Sequence, residues 1–92
     1  MTYTNYSRNE EKNQSLIEER WISFDDVLEC IASWWLLDIV PHHLPEKYPN
    51  QSQFIISHNE YIYYIPFVIE ENNNIFLKTI IPSRKYNKIY IN

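Results

Sequence analysis

The side chains best suited to chemistry in this sequence gather near its C-terminal end. Lys78, Arg84, Lys85 and Lys88 are the only charged residues after Glu71, and Tyr86 and Tyr90 lie among them. Guanidinium and ammonium groups bind phosphate, and aromatic rings set between them can stack on bases. A strand read over Ile75–Ile81 would present Lys78 rigidly, with Arg84 and Lys85 at its end. The Tyr90 phenol can donate a proton or stack. The competing reading of the same set is an ordinary solvated tail.

Other constellations are weaker. His42-His43 beside Glu46 suggests a metal, but adjacent histidines on an extended loop point apart, and His58 is the remaining histidine. Neither His-x-x-x-His nor Cys-x-x-Cys spacing occurs, so no metal and no small-molecule cofactor is expected. The carboxylate pairs Glu10-Glu11, Glu18-Glu19, Asp25-Asp26 and Glu70-Glu71 fall on expected solvent faces or in a turn, where they serve solubility and capping. Cys30 stands alone in the chain, which fits a reducing compartment, and reads as a small buried side chain rather than a nucleophile. The tryptophans Trp21, Trp34 and Trp35 and the tyrosines within Tyr61–Tyr64 could stack bases, but core and sheet packing is the commoner use. With no glycine in the sequence there is no phosphate-cradling Gly-rich loop, and left-handed backbone positions are expected to fall to Asn or Asp.

The overall charge of −4 speaks against a nucleic-acid partner until its distribution is considered. Residues 1–46 carry three basic and nine acidic side chains, whereas residues 47–92 carry five basic and three acidic ones. An acidic front and a basic tail can set opposite potentials on two faces of one molecule.

These residues need elements to position them. Ninety-two residues, 45% hydrophobic and 16% aromatic, suit one domain spanning 1–92. No apolar run approaches the ~20 residues of a membrane span. The opening Met-Thr-Tyr-Thr-Asn-Tyr has neither a basic nor an apolar leader region, so a cytoplasmic protein is expected. Residues 1–8 are either a loose end or a short first strand.

Asn9 caps a helix expected to run to about Arg20, with Leu16 and Ile17 facing the core and Lys12 outward. Ser23 and Asp26 form a capping-box pattern for a second helix. Its apolar stripe is Phe24, Val27, Leu28, Ile31 and Ala32, extended by Trp35. Strands follow at Leu36–Val40, Phe54–Ser57, Tyr61–Ile69 and Ile75–Ile81, with turns at 58–60 and 70–74. Pro66 within the third implies a bulge or an edge. Arg84 to Tyr90 is a basic segment, helical or extended. The fold class is therefore α+β, two N-terminal helices on a three- to four-stranded antiparallel sheet.

Three stretches, in order, resemble the BrnT family of bacterial type II toxins. Asn9-Glu10-Glu11-Lys12-Asn13 is similar to that family's acidic-x-x-Lys-Asn helix start. Ile22-Ser23-Phe24-Asp25-Asp26-Val27 is similar to its Gly-hydrophobic-Ser-Phe-acidic-acidic-Ala run. Ile80-Ile81-Pro82-Ser83-Arg84-Lys85 is similar to its Ile-x-Ser-x-Arg run. The resemblance spans about residues 9–90 and implies a RelE-like fold, metal-independent RNA cleavage and neutralisation by a cognate antitoxin. Carried over by motif, Arg84 would stabilise phosphate charge, with Lys12 and Lys85 assisting. Tyr90 and Lys78 are assigned from chemistry alone, and Lys88 and Tyr86 join them as RNA contacts. The chain departs from the family where Lys-His-Gly is usual between the helices and Glu19-Arg20-Trp21 stands instead, and where Tyr86 replaces an alanine. The alternative is a non-catalytic protein-interaction domain on the same fold.

Overall fold

The computed structural model describes residues 5–42, 44–85 and 88. Tyr6–Arg8 forms β1, followed by helices α1 (Glu10–Arg20) and α2 (Phe24–Ile31). Strands β2 (Leu36–Pro41), β3 (Gln51–His58), β4 (Tyr61–Ile69), β5 (Ile75–Leu77) and β6 (Ile81–Pro82) complete the fold. The α+β class holds. The sheet runs β1-β5-β4-β3-β2, with β6 also on β4. β2 to β5 form an antiparallel meander, and β1 joins it parallel to β5, so the sheet is mixed and wider than expected. The first residues thus include a strand, and Asn5 fixes its end by accepting the Ile75 N–H at 2.8 Å.

Both helices start where side-chain oxygens meet backbone donors that lack intrahelical partners. Asn9 accepts from the Lys12 N–H at 3.0 Å. Ser23 Oγ accepts from the Asp26 N–H at 3.1 Å, while Asp26 Oδ2 accepts the Ser23 N–H at 2.8 Å, completing the capping box. A further donor, the Phe24 N–H, is taken at 2.7 Å by Asn13 Oδ1 from α1. Asn13 is only 6% exposed, so a polar side chain in a largely solvent-facing helix is turned inward as a cap for its neighbour.

α2 ends at Ile31, before the Trp35 that continues its apolar spacing. The Ser33 hydroxyl donates to the Cys30 carbonyl at 3.2 Å and closes the helix there. Ile17 and the tryptophans also depart from expectation: Trp21, Trp34 and Trp35 are 85%, 94% and 58% exposed, none of them core.

One face of the sheet takes the helices. Phe54, Ile56, Ile65, Phe67 and Leu77 form a cluster with Leu16, Ile22, Phe24 and Val27, and Phe54 stacks on Phe67 at 4.1 Å. Complete burial of a side chain such as Phe24 stabilises by roughly 1.5–3 kcal/mol. Strand alternation carries Ile55 and Ile62 to the opposite face, where both are also buried.

The expected strand over Ile75–Ile81 is broken. Between the pairs Phe67↔Leu77 and Tyr64↔Ile81, β4 advances three residues and its partner four. The extra residue makes a bulge across from Pro66, whose carbonyl accepts the Lys78 N–H at 2.9 Å. A proline brings no N–H to that side, so the irregularity sits where the ladder would be incomplete in any case.

Left-handed backbone occurs, among the described residues, at Trp21, Asn59, Glu60, Asn72 and Asn73. Asn59 and Glu60 make the two-residue β3–β4 hairpin turn, where both central positions need positive φ. Asparagine fills three of the five positions; Glu60 and Trp21 do not follow the expected preference. Trp21 ends α1 at φ 58°, ψ 32°, donating its N–H to Ile17 O at 3.1 Å.

Two outcomes follow. Asn13→Ala strands the Phe24 N–H and lowers unfolding free energy by about 1–3 kcal/mol, whereas Gln14→Ala on the exposed side stays within about 0.5 kcal/mol. Trp21→Gly raises stability by roughly 0.5–1 kcal/mol, because it removes left-handed strain at an exposed site and forfeits little packing. Urea denaturation checks both.

Candidate functional site

The basic residues are held along one flank of the sheet by successive backbone ties. Lys78 lies just past β5, in the bulge rather than within a strand, and is exposed. Its N–H is bonded to Pro66 O. At the other end of the bulge, Arg20 Nη1 donates to Ile80 O at 3.0 Å, tying the end of α1 to the sheet. Ser83, buried, donates its N–H to Ile62 O at 3.0 Å. Arg84 and Lys85 begin a helical turn directly after it; both are exposed, as is Lys88. The anchors at Ile62 and Pro66 are four residues apart on β4, about 14 Å at ~3.4 Å per residue. Tyr86 and Tyr90 lie outside the described residues, as does His43.

Lys12 stands elsewhere. It is exposed in the first turn of α1, eight residues before Arg20 and so about 12 Å away along the axis at ~1.5 Å per residue. The adjoining Asn13, by contrast, is a structural cap.

Reasoning from sequence alone passed over Arg20, whose helix-end position gave no hint of its contact with Ile80. Tyr63 also belongs here. Its phenol is pushed up in pKa by burial and then by the neighbouring Tyr61, with Arg20 pulling the other way, so it keeps its proton at neutral pH. The rings of Tyr61 and Tyr63 lie 5.5 Å apart on one sheet face, as strand alternation requires. The His58 ring meets Tyr63 edge-on at 6.4 Å.

Beyond His58 the surface changes sign. A groove of about 1000 Å³ runs between α2 and the β3–β4 hairpin, lined by Asp26, Glu29, Cys30, Trp35 and Glu60 among others. Cys30 forms part of its wall, with Sγ donating to Ser57 O at 3.5 Å. Burial pushes this thiol up from its ordinary value, and Asp26 and Glu29 add to the shift, so it is a poor nucleophile at neutral pH. A smaller hollow on the other side of α2, lined by Ile17, Trp21 and Ile22, shares Asp26 with it.

The remaining Arg near the helices is committed to the fold. Arg8 Nη1 and Nη2 donate to the Asp25 carboxylate at 2.8 and 3.3 Å, and Nε donates to Glu10 at 2.9 Å. In the 42–50 loop the His42 ring packs on Tyr48 at 4.5 Å. No group of three or more His, Cys, Asp or Glu side chains among the described residues is arranged to hold a metal ion. No helix among them is long and apolar enough to cross a membrane.

No protein-family model, curated protein or solved structure matches this chain. The site's meaning therefore rests on its own chemistry.

A thiol held protonated in the fold loses its stabilising effect once the unfolded chain ionises. That contribution is complete below the unfolded thiol value of about 8.5 and fades as pH rises through the folded value. Melting temperature should fall on the alkaline side, and Cys30→Ser, which keeps a donor toward Ser57 O but does not titrate there, should flatten that limb.

Proposed function

We propose that this chain is a ribonuclease toxin of BrnT-like character, acting in the cytoplasm and held in check by a cognate antitoxin. The observation that carries the reading is a row of cationic residues whose backbone is anchored along the β4 flank. The Lys78 N–H is bonded to Pro66 O, the Ser83 N–H just before Arg84–Lys85 is bonded to Ile62 O, and the Arg20 guanidinium itself donates to Ile80 O. An anchored backbone narrows the space that the cationic heads explore, and donors needing less reorganisation as charge develops lower the barrier for a reaction at phosphate more.

The chemistry required is transesterification. A ribose 2′-oxygen bonds to the adjacent phosphorus, the P–O5′ bond breaks, and the 2′ proton leaves as the 5′ oxygen gains one. Arg84 would neutralise the phosphate oxygens, with Lys85 and Lys78 holding neighbouring phosphates and Lys88 extending the track. Tyr63, protonated and beside Arg20, is a donor for the leaving oxygen that joins the earlier candidate Tyr90. Lys12, some two turns along α1, serves better as a contact for distant RNA than as a partner of Arg84.

Two further features support the family resemblance. Trp21 occupies the place of that family's inter-helix glycine, and it adopts the left-handed backbone that a glycine would favour. The motif asparagine, Asn13, is the buried cap of α2, a role that accounts for its residue type.

The test is cleavage of single-stranded RNA by the purified full chain in excess EDTA. Cleavage is expected, and Arg84→Ala should lower its rate by about 10²–10³-fold, the cost of losing one pre-set charge donor. In parallel, induction of the native chain in bacteria should arrest growth while the variant does not. Intact RNA with folded protein at high excess would overturn the reading in favour of a non-catalytic interaction domain.

A further inference from the structure

The acidic groove has no part in that chemistry. We propose that it is a docking site for a cationic, amphipathic segment of a protein partner. The inference does not rest on the RNA reading.

Charge is the first argument. Asp26, Glu29 and Glu60 border the groove, and no lysine or arginine among the described residues lines it. Among the described residues a phosphate-bearing ligand would meet three carboxylates and a single histidine, His58, whereas a Lys- or Arg-bearing segment would find its complement.

Shape and composition supply the second. A volume of about 1000 Å³ lies at the upper end of the ~300–1,000 Å³ typical of small-molecule sites. Its apolar wall includes Trp35, which is more than half exposed. Trp34 beside it is almost wholly exposed, and a second hollow with the exposed Trp21 and Ile17 on its wall shares Asp26 with the groove. Tryptophan is the side chain most often found as an energetic anchor of protein interfaces, and apolar surface rimmed by like charges is the pattern of a groove that receives an amphipathic element.

The wall is also rigid. The Trp35 carbonyl accepts the Ser57 N–H at 2.9 Å, and Cys30 Sγ donates to the Ser57 carbonyl, so helix end and strand end are tied at one residue. A pre-formed groove spares a partner part of the ordering cost of binding.

The probe is a synthetic peptide with leucines at i, i+3, i+4 and i+7 and lysines between them, compared with the same peptide bearing glutamates. Amide shifts of the full-length protein should move around Cys30, Trp35, Asn59 and Glu60 with the lysine peptide and stay still with the glutamate one. Binding should weaken with added salt. The double variant Glu29→Lys/Glu60→Lys, at two exposed positions, should weaken it by about tenfold or more with melting temperature preserved. Trp35→Ala should weaken it as well. Absence of binding, equal affinity for the charge-reversed protein, or shifts centred on Arg84 instead would overturn the proposal. So would groove shifts on adding a single-stranded RNA oligonucleotide.

Discussion

The hydrogen bond between Asn13 and the Phe24 N–H is the join on which the helical layer depends. The first turn of any helix exposes donors that its own backbone cannot satisfy. In α2 that turn is buried against the sheet, because Phe24 and Val27 are core residues with no measurable exposure. Water cannot reach the Phe24 N–H, so a protein acceptor must, and Asn13 supplies it from α1. The capping box takes the next donors, and the Asp25 carboxylate takes the Arg8 guanidinium from β1. Three consecutive elements thus meet at one helix N-terminus. Because α1 is held there, its far end arrives at the bulge, and Arg20 can reach Ile80.

That chain of constraints explains how much was readable in advance. Local signals were strong where one short stretch held all the partners. Ser23 and Asp26 make the capping box by themselves, Tyr61–Ile69 is bounded by its own turns, and Pro66 announced the irregularity opposite it. The signal failed where the partner was remote. β1 pairs with β5 across nearly the whole chain, and three residues of strand carry no pattern that identifies such a mate. Asn13 reads as one more polar residue on a polar helix, and nothing nearby shows that it faces inward. Trp35 misled for the opposite reason: it satisfies the helical period, but Ser33 has already taken the Cys30 carbonyl and ended α2.

The candidate site divides the same way. Side-chain chemistry alone picked out Lys78, Arg84, Lys85 and Lys88, because a run of cations without counter-charges is visible in composition. Their order along an edge was not visible, since it depends on where a bulge places Lys78 and Ile80. Nor was the reach to Ile80 of Arg20, at the opposite end of α1 from Lys12, which follows from how α1 lies against the sheet. Arg20 shows the limit most clearly: an arginine closing a helix is the expected partner of its own last carbonyls, yet here it serves a carbonyl sixty residues away.

The two surfaces of opposite sign have a consequence for how one small domain can hold two ligands. The anion-directed flank runs along β4 to β6, and the cation-directed groove opens between α2 and the β3–β4 hairpin. The aromatic group of His58, Tyr61 and Tyr63 lies between them, with His58 lining the groove and Tyr63 paired with β6. At physiological salt the Debye length is about 8 Å, so charges on the flank and those at the groove's far rim act largely independently. On charge alone, a phosphate backbone would be disfavoured in the groove and a lysine-rich segment on the flank. A protein bound in the groove would therefore not need to mimic RNA to share the molecule with it. Any control it exerted over the flank would have to come through steric cover of the aromatic group, or through the Ser57 joint that links Cys30, Trp35 and β3.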